Sequence, residues 1–81
     1  MHCAVYKGSK KHDTYLYVEK QDDFSRVPAA LLAMLGTLVF VMEVELREER
    51  KLAQAEARDV IAKLQSEGFY LQMPKKDYRG V

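Results

Sequence analysis

Apolar and polar residues follow two periods along this chain, and the change-overs fall at a few turn-forming positions. His2 to Lys7 is a short run with Ala, Val and Tyr. A polar, glycine-containing stretch follows from Gly8 to Asp13. Thr14 to Glu19 then alternates tyrosines with Leu16 and Val18. Two such runs flanking a polar Gly-containing loop predict a β-hairpin, with a loop longer than the tightest turn types. Gln21 to Arg26 is polar and ends the second strand. Pro28 suits the first turn of a helix, where its missing N–H costs nothing, and Ser25 is the nearest capping side chain. Leu31, Leu32 and Leu35 have helical spacing, and Gly36 is a left-handed stop. A helix of about two turns holds only by packing, because isolated helices below ~12–15 residues are marginal in water.

Thr37 to Leu46 is the strongest strand pattern. Strict alternation puts Leu38, Phe40, Met42, Val44 and Leu46 on one face and Val39, Val41, Glu43 and Glu45 on the other. A charged turn from Arg47 to Lys51 leads to a second helix over Gln54 to Ser66. Its stripe is Ala57, Val60, Ile61 and Leu64, opposite Glu56, Lys63 and Gln65, and Gly68 closes it. Phe69 to Met73 is the last strand, ended by Pro74. The order is ββαβαβ. Four short strands must bury the apolar faces of two helices, which gives an α/β (α+β) class: one small, mainly antiparallel four-stranded sheet in a compact sandwich. Residues 1–74 form the domain and residues 75–81 a short basic tail.

Composition narrows the functional classes. Apolar residues make up 48% and charged residues 31%, the balance of a folded domain. A chain of 81 residues hides roughly 60–65% of its unfolded surface, so its stability is expected at ~4–12 kcal/mol. Little room remains for a deep enzyme pocket, and surface binding is favoured. Net charge is +1, so no global field draws the chain to nucleic acid or membrane. Acids outnumber bases between Glu43 and Glu67, whereas the tail sets Lys75, Lys76 and Arg79 against Asp77. One cysteine, Cys3, excludes an internal disulfide. No signal-peptide pattern or membrane-length apolar run is present, and the expected location is cytoplasmic.

The segments TYLYVEKQDDFSRVPAALL, LGTLVFVMEVEL, ERKLAQA and GFYLQMP together resemble the YcgL family of small bacterial proteins, from Cys3 to Pro74. The resemblance implies an α/β sandwich around a small sheet, a cytoplasmic location and no assigned biochemical activity, and it carries over no catalytic residue. Longer members continue past the Pro that follows GFYLQMP with a proline-rich segment and a further helix. Here KKDYRGV follows, so part of one sheet face is expected to need other cover. The Gln54-Ala55-Glu56 start of the second helix also departs from the Asp-containing start common among relatives.

Candidate chemistry is sparse. His2, Cys3 and His12 are the only soft metal ligands, and strand neighbours point to opposite faces, so no metal or cofactor is expected. Ser9, His12 and Asp13 share the hairpin loop, which reads as a solvated turn rather than a preorganised triad. Asp22 with Asp23, and Glu43 with Glu45, could pair as acid and base, but a solvated face or helix-capping duty explains them far better. No phosphate-binding glycine loop occurs, and an enzyme is not expected. The remaining signal is aromatic. If the aliphatic faces meet the helices, Tyr15, Tyr17, Tyr70, Val39 and Val41 share the other face, with Tyr6 near them. Two readings follow: an interaction surface for a protein partner or a second copy, flanked by Lys7, Lys10 and Lys11, or a weak single-stranded nucleic-acid platform built on tyrosines and the hairpin lysines. The cover expected over that face is the first helix, with the second helix on the opposite face and the tail adding little.

Overall fold

The computed structural model describes residues 1–47 and 57–73. β1 (His2–Gly8) and β2 (Lys11–Val18) form the hairpin, followed by α1 (Ala29–Leu35), β3 (Leu38–Glu45), α2 (Ala57–Ser66) and β4 (Phe69–Gln72). The four strands form one sheet in the order β3-β1-β2-β4, and every neighbouring pair is antiparallel. The expected class and element order stand. The start expected for the second helix at Gln54 and the tail from residue 75 lie outside the described residues.

The hairpin turn is tighter than the polarity pattern suggests. β2 reaches back to Lys11, because ladder pairing uses backbone groups and tolerates the exposed Lys11 and Asp13. The register slips between Lys7 and Gly8 to accommodate it: Lys7 opposes Tyr15, and Gly8 opposes Lys11. The tip is also tied to the turn between α1 and β3. Ser9 N–H donates to Thr37 O (2.9 Å) and Lys10 N–H to Leu35 O (3.0 Å). Gly8 is required at this crossing, since a Cβ there would lie 2.5 Å from Leu35 O.

Pro28 occupies the N-cap of α1, and no side chain caps it. Ser25 turns instead to Asp23: its N–H and hydroxyl both donate to Asp23 Oδ1, at 3.1 and 2.7 Å. Gly36, at φ 83°, ends α1 and donates its N–H to Leu32 O (3.0 Å).

The helices lie on opposite faces of the sheet. Leu31, Leu32 and Leu35 of α1 pack with Ala4, Tyr6, Leu16, Val18, Phe69 and Leu71. Ala57, Val60, Ile61 and Leu64 of α2 pack with Cys3, Val5, Tyr15, Tyr17, Tyr70 and Val44. Three layers result, but the expected assignment of helices is exchanged: α2, not α1, covers the tyrosine face. β2 and β3 run parallel, each antiparallel to β1 between them. A crossover between parallel strands is almost always right-handed, so the face taken by α1 follows from strand order, which periodicity does not carry.

β3 departs from strict alternation. Val5 opposes Met42 but Tyr6 opposes Phe40, so Val41 is an extra residue, a β-bulge. The bulge splits the expected face. Leu38 joins the α1 side, as does Phe40, whose ring meets Tyr6 edge-on at 5.6 Å. Val44 and Leu46 pass to the α2 side, beside Cys3.

Candidate functional site

Among the described residues β3 is an edge strand, and its central apolar residues are exposed. Val39, Phe40, Val41 and Met42 are 59%, 41%, 45% and 51% exposed. The bulge spreads them over both faces, so neither helix layer shelters them. The opposite edge, β4, is half as long and half-buried along its first three residues. Long apolar edges are normally blunted, because unpaired N–H and C=O groups invite another strand. On β3 that protection is confined to the bulge and to Glu43 and Glu45 at its far end.

On the α2 side the edge continues into an open shelf. α2 covers the sheet around Cys3, Val44, Tyr17 and Tyr70, and beside it Tyr15 is partly exposed and Val41 and Met42 are exposed. A shallow depression of about 300 Å³ is lined by Val5, Tyr15, Tyr17, Val41, Met42 and Gln72. A second of about 260 Å³ adjoins it, lined by Lys7, Gly8, Ser9, Val39 and Val41.

The floor of the shelf is fixed by a buried polar pair. Tyr17 Oη donates to Gln72 Oε1 at 2.7 Å, and the two residues are 6% and 8% exposed. The Tyr17 ring meets Tyr70 edge-on at 5.7 Å. Burial raises the Tyr17 pKa, reinforced by Cys3, Tyr70 and Tyr15, so the hydroxyl remains a neutral donor. Burial also pushes Cys3 up to about 11, with the N-terminal ammonium opposing and Glu43 adding to the rise. A thiol held protonated in this way is a packing residue rather than a nucleophile.

The sequence-derived surface is partly assembled. Tyr15, Tyr17, Tyr70, Val39 and Val41 do share one face, and Lys7 borders it. Tyr6 is on the opposite face, where its hydroxyl donates to Asp22 Oδ1 (2.9 Å) and accepts from Asp22 N–H (2.6 Å). Tyr17 forms floor rather than rim and offers no free ring for base stacking. Lys10 is exposed at the hairpin tip with its stem against Gly36, and Lys11 opens β2. Phe40 and Met42 are the residues missed. The uninterrupted apolar run Leu38–Met42 marks the strand, but nothing along the chain places it at the sheet edge.

The other groupings have local structural roles. Asp22 takes φ 65° and is held by Tyr6, while Asp23 is held by Ser25, whose hydroxyl and N–H lower its pKa. Glu45 lies 3.9 Å from His2 and 3.4 Å from Arg47. Ser9 Oγ accepts from Thr37 N–H (3.0 Å), and the His12 side chain lies outside the described part of the structure. No group of three metal-ligating side chains occurs among the described residues. No helix among them is long and apolar enough to cross a membrane.

The YcgL domain model matches residues 3–75. A YcgL domain-containing protein of Xanthomonas euvesicatoria is 52% identical over 75 residues, covering 93% of this chain and 87% of that protein. One from Yersinia enterocolitica is 51% identical over 74 residues, covering 91% and 82%. A Nitrosococcus oceani protein named as a putative HAD-like hydrolase is 56% identical over 77 residues, but this chain covers only 21% of it. The chain spans about a fifth of that last relative and most of the length of the other two. It belongs to the YcgL family.

Proposed function

We propose that this YcgL domain is a non-enzymatic, cytoplasmic protein-interaction module that engages its partner along β3 and the adjoining shelf. The observation that carries this reading is the run of four exposed apolar residues, Val39 to Met42, on an edge unpaired among the described residues. Sheet edges of this kind take an added strand, whose backbone supplies the binding energy while side-chain contacts on the two faces supply selectivity. The shelf gives the α2 side of such a strand an apolar seat, and the Tyr17–Gln72 pair makes that seat rigid. A lone buried cysteine fits a reducing compartment.

The test compares immobilised wild-type protein with the Val39→Lys variant in a bacterial lysate. Val39 is more than half exposed, so the variant should keep its fold by circular dichroism. The wild type should retain a defined set of proteins that the variant loses. Equal retention by both overturns the reading, as does retention by neither when the wild type is also monomeric.

A further inference from the structure

We propose that the strand completing the β3 edge is β3 of a second copy of this chain, paired antiparallel about Phe40, so that two four-stranded sheets join into one of eight strands. This deepens the reading above by naming the partner, and it rests on that reading.

The order of side chains along β3 supports self-pairing. About a two-fold axis at Phe40, the bulged pair Val41 and Met42 faces Val39 on the α2 side and Phe40 meets its own copy on the α1 side, so the exposed apolar run covers itself on both faces of the joined sheet. Glu43 then lies opposite Leu38, at the start of the strand and on the same α1 side. The two copies of Glu43 stand four strand positions apart, about 13 Å at ~3.3 Å per residue, beyond the Debye length of physiological salt. Slipping the pairing toward the C-terminal end sets glutamate against glutamate: an axis at Val44 places Glu43 directly across from Glu45. Like charges facing across strands are destabilising, so the acidic end of β3 selects the register.

The charge at the other end of the strand fits the same arrangement. Thr37 is joined to the hairpin tip through the Ser9 N–H bond to its carbonyl, and the Lys10 stem lies against Gly36. Glu43 opposes Ala4, a member of the α1-side core, so it projects on the α1 side. Lys10 sits at the end of α1. A two-fold axis normal to the sheet preserves faces, so Glu43 of one copy approaches Lys10 of the other, and the contact occurs twice. Acidic and basic ends that complement each other only in the antiparallel order point to this chain as its own partner.

Sedimentation equilibrium of the purified protein from about 10 µM to 1 mM tests the pairing, in the range expected of a small, reversible interface. Wild type should rise toward twice the protomer mass, and Val39→Lys should remain at one protomer with an unchanged melting temperature. Glu43→Lys alone and Lys10→Glu alone should each dimerise at least several-fold more weakly. An equimolar mixture of those two variants should recover the association, because both contacts are then again between opposite charges. A wild type that stays monomeric at about 1 mM, a dimer indifferent to Val39→Lys, or a mixture no tighter than its components overturns the self-pairing. Monomeric wild type whose capture of lysate proteins still depends on Val39 overturns only this inference. Capture indifferent to Val39→Lys overturns the docking reading itself.

Discussion

Replacing Gln72 by leucine removes the acceptor for the Tyr17 hydroxyl beneath the shelf while keeping a side chain of similar length. Tyr17 is 6% exposed and Gln72 8%. Either single substitution, Gln72→Leu or Tyr17→Phe, therefore strands a polar group with little access to water. An unsatisfied buried group costs ~1–3 kcal/mol, and the residual exposure places this pair at ~1–2. In a domain of this size each kcal/mol shifts the melting temperature by ~4–8 °C, so each single variant should melt about 4–15 °C lower. The double variant loses donor and acceptor together, leaves nothing stranded and should return close to wild type. Urea unfolding of the four proteins, followed by circular dichroism, gives the coupling between the sites, expected at ~2–4 kcal/mol with unchanged m-values. Strictly additive losses would show that the 2.7 Å bond does not hold the floor.

Alkaline pH should destabilise the domain, with a sign set by its buried acids. Cys3 is raised from 9.0 to about 11 on folding, so its contribution is fully present below pH 9 and is lost as pH rises through 11. That contribution is on the order of 2 kcal/mol, and the raised Tyr6 and Tyr17 hydroxyls act in the same direction. Urea midpoints at pH 7 and pH 10.5 should differ accordingly, and Cys3→Ala should flatten part of the dependence. At Asp22, φ 65° suits asparagine, which also keeps the acceptor for Tyr6, so Asp22→Asn should leave the melting temperature within a few degrees. Asp22→Ala loses both advantages and should cost ~1–2 kcal/mol by the same measurement.

The elements were legible because each rests on a local pattern: the leucine spacing before Gly36, the α2 stripe, the alternation of β2. The grouping of Tyr15, Tyr17, Tyr70, Val39 and Val41 on one face was legible for the same reason, since the tyrosines alternate with aliphatic residues that seek the other side. What did not show in the residues was relational. The bulge at Val41 leaves no mark on a run where every residue is apolar. The face taken by α1 depends on β1 lying between β2 and β3. Strand order also decides that β3 is an edge, so the exposure of Phe40 and Met42 could not be read from their neighbours along the chain. Tyr6 moved to the opposite face because β1 alternates about Val5, which a short run of mixed small residues does not declare.

The docking role of β3 is tested most directly by amide chemical shifts recorded as protein concentration rises from about 50 µM to 1 mM, a range suited to a small, weak interface. Perturbations should concentrate on Leu38 to Glu45 and on the adjoining Ser9–Lys10 turn, with α2 and β4 unmoved, and should vanish in Val39→Lys. Perturbations centred on β4 or on α1, or spectra independent of concentration together with a lysate capture indifferent to Val39→Lys, would contradict the assignment of β3 as the interaction edge.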